Sequence, residues 1–454
     1  MSLVEAQAIT ESLQTSQPTH LNRRGFLRQA LYATKLLGLG TLAAACSPLE
    51  RLTAPAQKTP RELKILMTTA TIPGVNEWIE IWSKRWGLDN KIVVDFVWMG
   101  PSQMQDGIKV DGVRKEFDIV TPTRAGYAYR FGEQFADLDQ LADELGNKFG
   151  GWIDQAPNIA QVNGRWKVIP LYYSPWAVLF KKDLFGKVGA SPDTTWESLI
   201  SAGKLLKDTG LPQVGIPTSA NSNDANISWN SFLLAYGASF ISQDGKTVTI
   251  NSEQTRQALT AGIELIDCLP FNASLWNDDA NNLLFVKGDL AWIHNTIGLF
   301  RALQKNTPEE AKKIGVALPP QGPAGRFTSA SAIQFAVEKA AKQPEAARAF
   351  IRDFTSGFGP IFEVSQGNIL PFLKGMYNQP LDFIRSDPAI SSLLGIEQYL
   401  FFPGYPGPTN IAAAEVEGYS VIPKMFQTAY ETQDIEKAIA AAEKELRAIY
   451  AKVR

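Results

Sequence analysis

Between residues 63 and 120 the chain alternates strand, helix and strand at a spacing that admits few folds. Residues 63–68 (LKILMT) form an apolar run of strand length, and a helical stripe follows in which Trp78, Ile79, Trp82 and Trp86 recur at i, i+1, i+4 and i+8. Residues 92–98 then alternate, with Ile92, Val94, Phe96 and Trp98 on one face, and 117–120 is a further apolar run. Short strands linked by a helix imply parallel crossovers, hence an α/β sheet with helices on its faces. In such sheets ligands sit beyond the carboxyl ends of the strands. That makes Thr69, Thr71, Thr123, Arg124 and Tyr127 candidate contacts. Roughly 395 residues follow the first 60, too many for one core of ordinary size, so two lobes are expected.

The start of the chain is set apart from this fold. Arg23, Arg24, Arg28 and Lys35 precede an uncharged run from Leu36 to Ala45, which ends in small residues before Cys46. That run is too short to span a bilayer, which takes about 20 apolar residues. Basic head, short apolar body and small-residue exit read as an export signal over residues 1–45. The Arg23–Arg24 pair resembles a twin-arginine signal, and LAAAC resembles a lipobox that would place a lipid on Cys46. Residues 46–61, with three prolines after Cys46, read as the lipidated cysteine and its tether. The expected location is therefore outside the cytoplasmic membrane, held by a lipid.

Composition removes several function classes. The whole chain carries a formal charge of −2, and the leader's four cations against Glu5 and Glu11 leave about −4 for the remainder. No basic face for nucleic acid is implied. Cys268 has no intrachain partner once Cys46 is lipidated, and it sits in an apolar helix pattern as a small buried side chain. With His20 in the leader and His294 the other histidine, a histidine-rich metal site is excluded, and no ligand-spaced calcium loop appears. There is no GxSxG elbow, Walker lysine or GxGxxG after a strand, so neither an enzyme nor a cofactor is expected. A two-carboxylate glycosidase needs none of these motifs and stays open as an alternative.

Further along, Gly164 marks a hairpin, and residues 167–180 are extended and strongly aromatic. Thr195 is a plausible N-cap for a helix that buries Trp196, Leu199, Ile200, Gly203 and Leu206. Residues 217–230 read as a polar loop before an apolar helix, and 290–293 as a short strand delivering His294 and Asn295 to its exit. A Pro- and Gly-rich loop covers 401–410, and an amphipathic helix covers 433–451. Tyr127, Tyr172, Tyr173, Trp176, Trp229, Trp292 and Tyr405 lie in or beside loops. Sugar rings stack their apolar faces on such rings while short polar groups take the hydroxyls; the competing explanation is ordinary core packing. Trp229 and Tyr405, set among Asn, Ser, Gly and Pro, are the strongest candidates.

Four segments, in order, carry a resemblance. VIPLYYSPWAVLFKKDLF followed by TTWESLISAGKLL, then LLFVKGDLAWIHNTIGLF, then KIGVALPPQGPAGRFTSASAIQFAV, then PEAARAFIRDFTS resemble the sugar-binding group of extracellular solute-binding proteins of ABC importers, the group that includes maltose-binding protein. The resemblance implies an α/β, two-lobe periplasmic-binding-protein fold with a ligand cleft and three crossover segments, near 173–177, 320–328 and 373–380. The first lobe would be 62–174 with 327–375, and the second 175–326 with 376–454. Tyr173, Ser174, Trp229, Trp292, His294, Asn295, Ser329, Ser331 and Tyr405 would face the cleft. The implied function is capture of a sugar or polyol by a monomer that closes around it and hands it to a membrane permease. The same fold holding a polyamine or an anion is the alternative, although the candidate loops offer mainly hydroxyls, amides and aromatics, with Asp224 the exception.

Overall fold

The computed structural model describes residues 61–70, 74–100, 103–104, 111–122, 126–190, 195–220 and 222–452. The leader, Cys46, the tether, Thr71, Thr123 and Arg124 lie outside the described residues. Two α/β lobes are built on one mixed sheet. In chain order the strands are β1 (Arg61–Thr68), β2 (Ile92–Met99), β3 (Ile119–Val120), β4 (Gln161–Val162), β5 (Arg165–Trp166), β6 (Ile169–Lys181), β7 (Gln213–Gly215) and β8 (Leu290–Thr296). They continue with β9 (Ile314–Ala317), β10 (Gln321–Gly322), β11 (Gly325–Arg326), β12 (Ala330–Val337) and β13 (Leu370–Pro371). The main sheet runs β2-β1-β3-β12-β6-β8-β7, with β9 and β13 also on β6.

β1 is parallel to β2 and β3, as the short strand–helix–strand spacing requires. Helix Val75–Asn90 covers them. Its Trp78, Trp82 and Trp86 meet Phe350, Phe354 and Phe358 edge-on, with ring centroids 4.9–6.1 Å apart. The Trp86 indole N–H donates to Asp353 at 2.8 Å. Such edge contacts add to the area buried, so this stripe is core. Asn163 and Gly164 both take positive φ in the β4–β5 hairpin. Thr195 caps helix Trp196–Asp208 through a reciprocal pair with Ser198.

β6 changes partners along its length. From Ile169 to Pro175 it pairs with β12. From Trp176 onward it pairs with β8 and β9. The partner changes at Pro175, whose missing N–H makes it a poor ladder residue. Two more passages join the lobes: the segment between β9 and β12, which holds the β10–β11 hairpin, and the segment after β13. In the latter, the Tyr377 hydroxyl lies 2.6 Å from that of Tyr173, and Ser392 donates to the Val316 carbonyl at 3.1 Å.

Two elements differ from the sequence reading. Residues 223–230 are not loop: helix Asn223–Ala235 starts there, capped by Ser222, whose hydroxyl accepts from the Ala225 N–H at 3.2 Å. β8 runs to Thr296, so His294 and Asn295 are paired within the strand, opposite Val178 and Ala177.

Candidate functional site

The carboxyl ends of β1 and β3 are tied together. The Thr68 N–H donates to the Thr121 hydroxyl at 3.0 Å, and that hydroxyl donates to the Leu66 carbonyl at 3.2 Å. The Thr69 N–H donates to the Met99 carbonyl at 2.8 Å, which leaves its side chain half-buried at the strand exits. Tyr127 begins helix Tyr127–Phe131, with its ring 5.6 Å from Phe131.

Along β6 the candidates separate by strand face. Tyr173 is fully buried; its ring lies against Phe372 at 5.0 Å, and burial first, then the Tyr377 hydroxyl beside it, raises its pKa well above the ordinary value. Its hydroxyl is thus committed to a contact within the protein. Ser174 points the other way, opposite Ser331 in register, and accepts from the Asn368 amide at 3.4 Å. Trp176 follows on the Ser174 face. Its N–H donates to the Ser329 carbonyl at 3.3 Å and its own carbonyl accepts from Thr328 at 3.0 Å, so two passages between the lobes are joined there.

In the second lobe, His294 lies edge-on to Trp176 at 5.4 Å, and its Nδ1 is 3.0 Å from the Ser228 hydroxyl. Burial pushes its pKa down to about 3, so the ring is neutral. The Asn295 amide donates to Asn282 at 2.7 Å and to Asp224 at 3.4 Å. Asp224 also accepts from Asn281 at 3.1 Å. Burial first, then the neighbouring Asp278, lifts the Asp224 carboxyl well above the usual carboxylate range. Tyr405 is 40% exposed, beside Phe327 at 5.8 Å and Phe401 at 6.5 Å.

Two expected contacts are core residues. Trp229 has 1% of its surface exposed, is enclosed by Phe232 and Phe426 at 5.7 and 4.6 Å, and donates its indole N–H to the Pro217 carbonyl at 3.0 Å. Because the helix begins before it, Trp229 falls on the inward face and offers no ring face to a solute. Trp292 is also fully buried, 6.4 Å from Trp196. On β8 it lies on the face that packs under helix Trp196–Asp208.

Sequence reasoning left Thr68, Asn226 and Asn368 out of the site. Among the described residues, the buried Thr68 hydroxyl, Trp176 Nε1, Asn226 Oδ1, His294 Nε2 and Asn368 Oδ1 lack a hydrogen-bond partner. Native folds pair nearly all their buried polar atoms, yet Ser83, Trp196, Trp292 and Tyr450 are unpaired as well, so a missing partner does not by itself locate a site. Trp176, Ile227, Leu234 and Phe401 are buried apolar side chains that stand outside the contiguous core. The available signal was Pro175, a ladder-breaking residue in the middle of an extended apolar run. Among the described residues, no group of His, Cys, Asp and Glu is arranged to hold a metal ion, and no helix is long and apolar enough to cross a membrane.

Helix Ile411–Gly418 lies against helix Tyr127–Phe131, with Arg130 and Glu415 3.2 Å apart.

Comparison with known proteins gives the same architecture. The maltose-bound MalE3 of T. maritima superposes with a TM-score of 0.72 at 19% identity, over 86% of this chain and 99% of that one. A sugar transporter protein from Arthrobacter chlorophenolicus with bound laminaribiose gives 0.72 at 19% identity, over 85% and 99%. A probable ABC transporter-binding protein of Deinococcus radiodurans is 26% identical over 247 residues, 52% of this chain. The chain spans 58% of the length of that curated relative. Residues 72–356, well over half of the chain, match the family described as bacterial extracellular solute-binding protein, and to that family the chain belongs.

Proposed function

We propose that the protein captures a sugar or sugar-like polyol outside the cytoplasmic membrane and delivers it to an ABC permease. The observation that carries this is the mixture of unpaired groups on and beside β6: the Trp176 indole N–H that donates, the Asn368 amide oxygen that accepts, and the neutral His294 imidazole nitrogen. A sugar hydroxyl both donates and accepts, so a polyhydroxylated solute can pair with all of them, whereas an ion of either sign pairs with only part of them. The aromatic groups Trp176, Phe401 and Tyr405 supply apolar faces for the ring. The sugars bound by the two structurally similar proteins agree with this reading. Asp224 does not favour a polyamine, since its carboxylate already holds two amides and burial disfavours its charge.

On this reading the lobes comprise 62–174 with 327–375 and 175–326 with 376–454. Thr69, Thr71, Thr123, Arg124, Tyr127, Ser174, Asn295, Ser329, Ser331 and Tyr405 remain proposed cleft residues. Cys46 carries a lipid and residues 1–45 direct export, with Arg23 and Arg24 as the twin-arginine pair; a fatty-acid label that spares Cys46→Ser but marks the wild type is the expected result. The test of the main reading is a thermal-shift and calorimetric screen of the mature protein against neutral mono- and disaccharides, putrescine and sulfate. Stabilisation by a saccharide alone is expected. A response to putrescine or sulfate and to no saccharide would overturn the reading.

A further inference from the structure

We infer that Trp176 is the aromatic group that holds the solute, with its ring on an apolar face and its indole N–H donating to a hydroxyl oxygen. This rests on the saccharide reading and assigns the contact within it. Four observations converge. Trp176 is 2% exposed and stands outside the contiguous apolar core, with the His294 ring between it and Trp196. Its Nε1 is buried without a hydrogen-bond partner among the described residues. The core residues Trp196 and Trp292 share this feature, so position is what separates Trp176 from them.

The third observation is position. Trp176 is the first β6 residue paired with the second lobe, directly after the last one paired with the first. A side chain there is at the floor of any cleft between the lobes. The fourth is rigidity. Hydrogen bonds to Ser329 and Thr328 pin its backbone, and the His294 ring braces the indole edge-on. A contact group held this way loses little freedom when the solute arrives, which favours affinity. The buried acceptors Asn226 and Asn368 come from elements of different lobes: Asn368 reaches β6 through Ser174, and Asn226 lies one half-turn before Ser228, the partner of His294. Both supply buried acceptors of the kind a hydroxylated ring would also need.

The experiment uses the mature protein with a panel of neutral mono- and disaccharides that includes maltose and laminaribiose, comparing wild type, Trp176→Phe and Trp176→Ala by calorimetry, tryptophan emission and melting. The expected result is a rise in Kd of about thirty-fold or more in Trp176→Ala, the loss typical of a central anchor. Trp176→Phe keeps a ring and loses the donor, so a roughly three- to ten-fold rise is expected, with the empty protein melting as the wild type does. The saccharide-induced emission change of the wild type should disappear in Trp176→Phe. An unchanged Kd and a retained emission change in Trp176→Phe, with saccharide bound by the wild type, overturn this assignment alone. A wild type that binds no saccharide in the panel overturns the saccharide reading and this assignment together.

Discussion

Gly126 and Ala414 meet so closely that a Cβ placed on Gly126 would lie 2.4 Å from the Ala414 Cβ and 3.0 Å from its Cα. Gly126 has φ −71° and ψ −12°, a conformation open to any residue. Glycine is required there by the neighbour and not by the backbone. Under the proposed division of the chain the two residues fall on opposite lobes, so Gly126→Ala should obstruct the approach of the lobes and little else. A fall in solute affinity of ten-fold or more, about 1.4 kcal/mol, is expected with an unaltered melt of the empty protein. Scattering should show a larger radius for the variant in the presence of solute. Ala414→Gly in the same chain should restore part of the affinity; a double variant no better than the single would show that the contact is not what limits closure.

The neighbouring Arg130–Glu415 pair should matter much less. Both side chains are partly exposed, at 36% and 21%, and pairs of that kind contribute about 0–1 kcal/mol. Arg130→Ala is expected to raise Kd by less than about five-fold, and the effect should shrink further in 0.5 M salt, where the screening length is only roughly 4 Å. Titrations at two salt concentrations check this, and a large salt-independent loss would contradict it.

Trp229→Ala should damage the fold and not the site. Removing a buried indole leaves a cavity and costs about 3–5 kcal/mol. The Pro217 carbonyl would also lose its donor. The melting temperature should drop by several degrees, while the Kd measured well below the transition stays near that of the wild type. Weak binding by a protein that still melts normally would return Trp229 to the cleft.

His294 should contribute to acid sensitivity. Burial holds its pKa at about 3 against 6.5 in solution, so the unfolded chain takes up a proton that the folded one refuses. Stability from this group is complete above about pH 6.5 and declines as pH falls toward 3, by roughly 1.4 kcal/mol per pH unit inside that window. Asp224 acts in the opposite sense, because burial, and then Asp278, raises its carboxyl pKa and the folded state binds the extra proton. The two are separated by comparison with His294→Gln, whose unfolding free energy should fall less steeply between pH 6.5 and 4. Parallel curves for variant and wild type would remove His294 from the acid response.

How far these features could be read from sequence depended on whether neighbours or distant segments decided them. The strand–helix–strand opening, the Trp78–Trp86 stripe, the Thr195 cap and the Asn163–Gly164 turn are local, and the residues state them. Trp229 is the opposite case. Its polar neighbours suggested a loop, but Ser222 starts the helix early, and Phe426, almost two hundred residues later, closes over the ring. His294 and Asn295 read from sequence as a strand exit because four apolar residues look like a whole strand; pairing with β6 carries the ladder on to Thr296. Trp176 was visible as one aromatic among several, and only the change of partner along β6 distinguishes it.

β12 lies between β3 and β6, and its Ala336 pairs with Val120, more than two hundred residues earlier. While the chain is being synthesised, the first lobe therefore waits with an open edge on β3 and an unmatched half of β6. Open edges are templates for pairing with the wrong chain, and pairings so distant in sequence form slowly. A polypeptide stopped before residue 330 has a helix-covered β1–β2–β3 fragment that cannot finish itself. Arrival of β12 fills the gap from both sides at once, so completion of the first lobe reports that three-quarters of the chain has already been made.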